Sequence, residues 1–147
     1  MPADINPDIP LALDSRYIDS LRAKGFMVRM MLQKPVMLDV TLPANTGKKM
    51  ADVKDDLLHA AKNIVWLNLS GNNFNDGDLA VLKQMPNLEK LRLDNNPVGD
   101  AVTIDLTGLK HLEAVNLDGT NVTQVGLGIL KQNTSIKRVY SWKPVPK

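Results

Sequence analysis

The chain of 147 residues has no cysteine. That excludes zinc-thiolate sites, disulfides, a cysteine nucleophile and a covalently attached haem, which needs C-x-x-C-H. Either redox compartment is compatible with it. Neither sign of charge is in large excess, since the net charge is +2; strong nucleic-acid steering and an acidic tail are therefore not implied. No apolar run approaches the roughly 20 residues needed to span a bilayer, so this segment is not expected to insert into a membrane. The start, Met1-Pro-Ala-Asp-Ile-Asn-Pro7, lacks the basic and apolar stretches of a signal peptide. It implies a cytoplasmic protein or a piece of a longer chain. The two histidines, His59 and His111, have no H-x-x-x-H or H-E-x-x-H companion, so each reads better as solvated or satisfied than as a metal ligand.

What the chain does contain is a repeat. Ile64-Val-Trp-Leu67-Asn-Leu69-Ser-Gly-Asn72-Asn-Phe74 is followed by Leu88-Glu-Lys-Leu91-Arg-Leu93-Asp-Asn-Asn96-Pro-Val98 and by Leu112-Glu-Ala-Val115-Asn-Leu117-Asp-Gly-Thr120-Asn-Val122. A degraded fourth copy is Ile136-Lys-Arg-Val139-Tyr-Ser141-Trp-Lys-Pro144-Val-Pro146. The starts at 64, 88, 112 and 136 give a fixed step of 24 residues. The pattern resembles L-x-x-L-x-L-x-x-N-x-L, that of leucine-rich repeats, whose period is 20–29 residues.

Within each copy apolar residues alternate with others, the period of a strand. Four equally spaced strands running the same way are expected to stack as a parallel sheet. The return segments carry apolar residues at helical spacing: Leu79, Leu82 and Met85, then Leu106 and Leu109, then Leu127 and Leu130. No single repeat buries its own apolar side, so neighbours must stack into one core. Asn72 and Asn96 stand where the chain leaves the strand, placed to bond backbone groups freed by the turn. Thr120 offers a shorter hydroxyl and Pro144 no side-chain bond, so this ladder is expected to weaken toward the C-terminus.

Residues 1–63 do not follow the period. Pro2, Pro7 and Pro10 predict an extended or loose start. Asp14 or Ser15 can cap a short helix with Tyr17, Ile18 and Leu21 on its apolar face, ended by Gly25. Residues 26–32 and 36–42 read as strands joined by a short hairpin at 33–35. Val36, Leu38, Val40 and Leu42 lie on one face of the second strand, with Met37, Asp39 and Thr41 on the other. A second helix over about 48–62 places Met50, Val53, Leu57 and Ala60/Ala61 on one stripe. The expected architecture is thus an α/β leucine-rich-repeat solenoid: a helix-hairpin-helix cap at 1–63 and about four repeats at 64–147, in one structural domain. The cap covers the first repeat. The other end has no comparable cover, with Ser141 at a core position and Pro144 and Pro146 as a crude edge guard or a contact for another domain or copy.

A narrower resemblance rests on Gly25-Phe-Met-Val-Arg-Met-Met-Leu-Gln-Lys-Pro35, Leu38-Asp-Val-Thr-Leu-Pro43, Asn63-Ile-Val-Trp-Leu67 and Tyr140-Ser-Trp142. It is similar to the C-terminal region of bacterial membrane proteins with an upstream cytochrome-c-like domain, notably in Bacteroidetes and planctomycetes. The family's return segments often read Val-Thr-Asp-x-Gly-Leu. Residues 74–79 and 122–127 echo this in part, and 98–103 depart from it. The resemblance implies a periplasmic location within a membrane-anchored parent, and brings no catalytic residues.

No catalytic residue, cofactor site or metal site is expected. Asp55 and Asp56 are adjacent on a helix and diverge. Asp76-Gly-Asp78 reads better as a turn and helix N-cap than as a calcium loop, for it lacks the further ligands. Asp118-Gly119-Thr120 is an ordinary turn without a G-x-x-x-x-G-K run. Nothing pairs a nucleophile with a base.

The residues between the core leucines are free to act. They form rows on the concave sheet face: Trp66, Asn68 and Ser70; Lys90, Arg92 and Asp94; Ala114, Asn116 and Asp118; Arg138, Tyr140 and Trp142. Three of the chain's six aromatics fall there, and aromatics with arginine are common interface anchors. The alternative for Trp66 and Trp142 is that they cover the sheet ends. Lys131, Lys137, Arg138, Lys143 and Lys147 form a basic end, read as solvated rather than as a nucleic-acid site. The function expected is a non-enzymatic binding module for a protein partner or a sister domain of the same chain. The alternative is a structural C-terminal domain of a periplasmic redox membrane protein.

Overall fold

Asp14 begins the first ordered helix by accepting the backbone N–H of Arg16 at 2.9 Å, and α1 (Ser15–Ala23) follows with Ile18 and Leu21 buried. Gly25 turns the chain away at φ +99°, a conformation that costs a side-chain-bearing residue far more than glycine. These features come from a computed structural model that describes residues 6–142. Strands β1 (Met27–Gln33) and β2 (Val36–Thr41) then form an antiparallel hairpin. The alternation read from the sequence appears as burial: Val36, Leu38 and Val40 are buried while Met37, Asp39 and Thr41 are half-buried. Helix α2 (Met50–Ala60) buries Met50, Val53, Leu57 and Ala60, and a 3-10 turn at Ala61–Asn63 leads into the repeats.

Strands β3 (Ile64–Asn68), β4 (Lys90–Arg92), β5 (Ala114–Asn116) and β6 (Arg138–Tyr140) are parallel and step by one repeat. Leu67 pairs with Leu91, Leu91 with Val115 and Val115 with Val139. The fold is a short leucine-rich-repeat solenoid. The return segments are a 3-10 segment (Asp78–Gln84), α3 (Asp100–Leu106) and α4 (Gln124–Leu130). The first of these corrects the helical expectation. Leu79, Leu82 and Met85 recur every third residue, which suits three residues per turn, and all three are buried. One apolar cluster runs from Ile18 in α1 to Leu130 in α4.

The hairpin is not a separate lid. β2 pairs in parallel with β3, so among the described residues one sheet runs β1-β2-β3-β4-β5-β6. The hairpin thereby supplies the neighbour of β3 on its N-terminal side, and its charged residues join the same surface as the repeats.

Three polar ladders tie the coils together. Asn72 donates to Leu42 O at 3.2 Å, and its Oδ1 accepts the Thr46 hydroxyl at 2.7 Å. Asn96 donates to Leu69 O at 2.9 Å and accepts the amides of Asn72 and Phe74. Thr120 reaches only Leu117 O of its own coil and, weakly, the Val122 amide. The ladder is therefore equally strong at 72 and 96 and weakens at 120; Pro144 lies outside the described residues. A second ladder caps helices. Asp76 accepts the amides of Gly99 and Val102 at the start of α3, and Asp100 accepts Thr123 N and Oγ1 at the start of α4. The third precedes β3, β4 and β6. Asn63 donates to Val36 O, Asn87 to Lys62 O, and Ser135 to Leu112 O.

The start of the described chain is neither extended nor loose: residues 7–9 form a turn in which Asn6 Oδ1 accepts the Asp8 amide at 2.8 Å. Ile9 is buried, Asn6 donates to Asn87 Oδ1 at 2.8 Å, and Pro10 O accepts from Asn63. These contacts fasten residues 6–10 along the flank of the repeats. Pro2 at one end, and Lys143, Pro144, Pro146 and Lys147 at the other, lie outside the described residues.

Candidate functional site

The open face of the sheet carries two rows in strict register. The first runs Arg29, Asp39, Trp66, Lys90, Ala114, Arg138. The second runs Met27, Thr41, Asn68, Arg92, Asn116, Tyr140. Side chains alternate across a strand, so these rows face away from the buried Leu67, Leu91 and Val115. They line a shallow hollow of about 620 Å³ from Asp39 to Tyr140. Ser70, Asp94, Asp118 and Trp142 follow one residue past the core position of each coil.

Charge is arranged within the hollow by short contacts. Arg29 Nη2 donates to Asp39 Oδ2 at 3.1 Å. Lys90 Nζ stands 4.0 Å above the Trp66 ring centre and the Arg29 guanidinium carbon 5.9 Å from it. Both cations are attracted by the negative face of the indole. Arg92 donates through Nε and Nη2 to both oxygens of Asp94, at 3.1 and 2.9 Å, and Ser70 Oγ donates to Asp94 Oδ2 at 3.1 Å. Asp94, through that hydrogen bond, raises the Arg92 pKa and holds the guanidinium in its charged form.

The residues expected on this face divide by accessibility. Lys90, Arg92, Arg138, Tyr140 and Trp142 are exposed, with Tyr140 at 51% and Trp142 at 69%. Asn68, Asn116 and Asp118 are half-buried, and Asp118 accepts the Trp142 backbone N–H at 2.5 Å. Asp94 is only 4% exposed. Its oxygens are taken by Arg92 and Ser70, so it supports the face from below instead of offering a contact. Trp66 covers no sheet end, because β3 is the third strand of six. Its ring is half-buried in mid-sheet, with Lys90 above it.

Arg29, Asp39 and Thr41 were not assigned to the face from the sequence. The alternation of β2 places Asp39 and Thr41 on its outer side. What was missing was the parallel pairing of β2 with β3, which aligns that outer side with the rows of the repeats.

The other candidates for chemistry stay apart. His59 is exposed on α2 and stacks on Tyr17, ring centres 4.6 Å apart. His111 Nε2 is buried without a hydrogen-bond partner among the described residues and lies 3.5 Å from Asp8 Oδ2. It occupies the slot filled by Asn63, Asn87 and Ser135 in the other coils. Asp55 is exposed, and Asp56 lies 3.6 Å from Lys24 Nζ. Asp78 and Asn75 exchange hydrogen bonds at the start of the 3-10 segment, while Asp76 caps α3 in the next coil. Lys137 Nζ lies 3.9 Å from Glu113. Among the described residues no group of three His, Cys, Asp or Glu is placed to hold a metal ion, and no helix is long and apolar enough to cross a membrane.

No family model matches the sequence. The chain is similar to Tsukushi from Gallus gallus, 30% identical over 95 residues, which are 63% of this chain and 26% of that protein. It thus spans about a quarter of the length of that relative. An internalin from Listeria monocytogenes is 14% identical with a TM-score of 0.42, over 63% of this chain and 32% of its own. The leucine-rich-repeat ectodomain of the receptor kinase SOBIR1 from Arabidopsis thaliana is 14% identical with a TM-score of 0.39, over 92% and 99%. The fold assignment rests on the 24-residue register of the sheet.

Proposed function

We propose that the chain is a non-enzymatic binding module that holds a protein partner, or a sister domain of its own chain, on the concave face of the sheet. The observation that carries this reading is the exposure of Tyr140, at one edge of the hollow, and of Trp142 two residues further on. Both are largely exposed, next to a row that ends in Lys90, Ala114 and Arg138. A large aromatic left in water forgoes burial that contact with a partner restores. Arg92 is preset by the buried Asp94, which lowers the ordering cost of using it in a contact.

The test is capture from an extract of the cell that makes the protein, with the wild-type chain and Tyr140→Ala/Trp142→Ala as baits. A species held by the first and lost with the second, at unchanged circular dichroism, supports the module and identifies its partner. Retention by both baits counts against this face. The alternative, a structural end-piece beside a cytochrome-c-like domain in the periplasm, predicts no separate partner, and a C-x-x-C-H with membrane spans upstream in the gene.

A further inference from the structure

We infer that the segment presented to this face is acidic and extended, with carboxylates received between Lys90 and Arg138 above Ala114. This rests on the binding-module reading and specifies the chemistry of its ligand.

Hydrogen-bonding capacity on the face is sorted by sign. All three carboxylates are engaged by the chain itself: Asp39 by Arg29, Asp94 by Arg92 and Ser70, and Asp118 by the Trp142 amide. The side-chain amides are engaged through their oxygens. Asn68 Oδ1 accepts Ser70 N at 3.0 Å and Asn116 Oδ1 accepts Asp118 N at 2.9 Å. A backbone N–H can only donate, so among the described residues the two Nδ2 groups are the free ends. What the face offers a ligand is chiefly donors: two Nδ2 groups, the Lys90 ammonium and the Arg138 guanidinium, beside the Thr41 and Tyr140 hydroxyls, which donate or accept. Among the described residues neither of these two cations has a carboxylate partner. A ligand that satisfies such a surface must be rich in acceptors and negatively charged.

Position narrows it further. Lys90, Ala114 and Arg138 are register partners on adjacent strands. Two strand spacings separate the cations by roughly 10 Å at the backbone, and the small Ala114 leaves a low point between them. The Lys90 side chain, swinging its ammonium off the Trp66 ring, and Arg138 can close on a carboxylate there, while the neighbouring Nδ2 groups of Asn68 and Asn116 bond its peptide oxygens. A nucleic acid fits less well. Its continuous phosphates would also run over the fixed carboxylates of Asp39 and Asp118.

The test titrates the full chain with a labelled oligo-glutamate peptide, the matched oligo-glutamine peptide and a single-stranded oligonucleotide, read by anisotropy. The chain's two tryptophans, Trp66 and Trp142, give a second signal from the face. Saturable binding of the glutamate peptide alone is expected. It should weaken about tenfold in Lys90→Gln/Arg138→Gln, as two ion pairs are lost, and with rising salt as charges are screened. Lys83→Gln, on the 3-10 segment, should bind as the wild type. Four results overturn the inference: equal binding of both peptides, preference for the oligonucleotide, an unchanged double variant, or no saturable binding. If a ligand ignores the double substitution but is lost with Tyr140→Ala, the face survives as a binding surface and only the acidic ligand falls. If neither change matters, both fall.

Discussion

Asn96 Oδ1 accepts the backbone N–H of Asn72, one repeat earlier, at 3.1 Å. The same side chain accepts Phe74 N and donates to Leu69 O and Leu93 O, and it is 1% exposed. Asn96→Ala leaves several buried backbone groups unpaired, each costing about 1–3 kcal/mol. A loss of about 3 kcal/mol in urea unfolding is expected, against about 1 kcal/mol for Thr120→Ala, which breaks one short and one long bond within its own coil. Equal losses would mean that the ladder does not couple the coils.

The core row predicts a second cost. Leu91 and Leu117 are buried, and replacing either by alanine should lower stability by about 2–5 kcal/mol through lost burial and a residual cavity. A near-neutral result in thermal or urea unfolding would contradict the register of the repeats.

Two glycines of α4 should respond with opposite sign. Gly128 has open space where a Cβ would go, so Gly128→Ala is expected to stabilise by about 0.5–1 kcal/mol through helix propensity. At Gly126 the added Cβ would collide with the Asp100 carboxylate and approach Val122. That carboxylate accepts Thr123 N and Oγ1, so Gly126→Ala displaces the cap of α4. A loss of about 1–2 kcal/mol is expected, the usual cost of a lost cap. Thermal unfolding of the two variants side by side decides the matter.

Asp14 makes the start of α1 pH-dependent. Hydrogen bonds from the Arg16 side chain and then from its backbone lower the Asp14 pKa below its ordinary 3.8. A carboxyl held lower in the folded state stabilises above its unfolded value, and that contribution disappears as pH falls through the folded one. Amide protection in α1, corrected for intrinsic exchange, should therefore drop on acidification below about pH 4. Asp14→Asn caps without charge and should flatten the dependence. A persisting slope in that variant would assign it to another group.

Much of this was legible in the sequence because the repeat states the same thing several times. Period, strand alternation, the 72–96–120 ladder and the stripe of α2 each follow from a local pattern. The sequence also placed Trp66, Lys90, Arg92 and Tyr140 on one face. What escaped depends on contacts between distant segments. No local pattern tells that β2 pairs with β3, and so brings Arg29 and Asp39 beside Trp66. Asp94 looked like its exposed neighbours, and only the fold of the turn buries it beneath Arg92. The Asp76 and Asp100 caps did leave a trace, since they recur at the repeat period outside the core positions. The three-residue spacing of Leu79, Leu82 and Met85 was likewise present as the mark of a 3-10 segment.

The central claim is that a protein partner occupies the concave face. It is tested most directly by a photo-crosslinking residue placed at Tyr140 in one version of the chain and at Ile104 in another. Ile104, 59% exposed on α3, lies outside both rows of the face and serves as the control. Irradiation in cells that make the protein should yield a discrete adduct from position 140 and none from position 104. An adduct from position 104 alone, or equal adducts from both, would contradict the account.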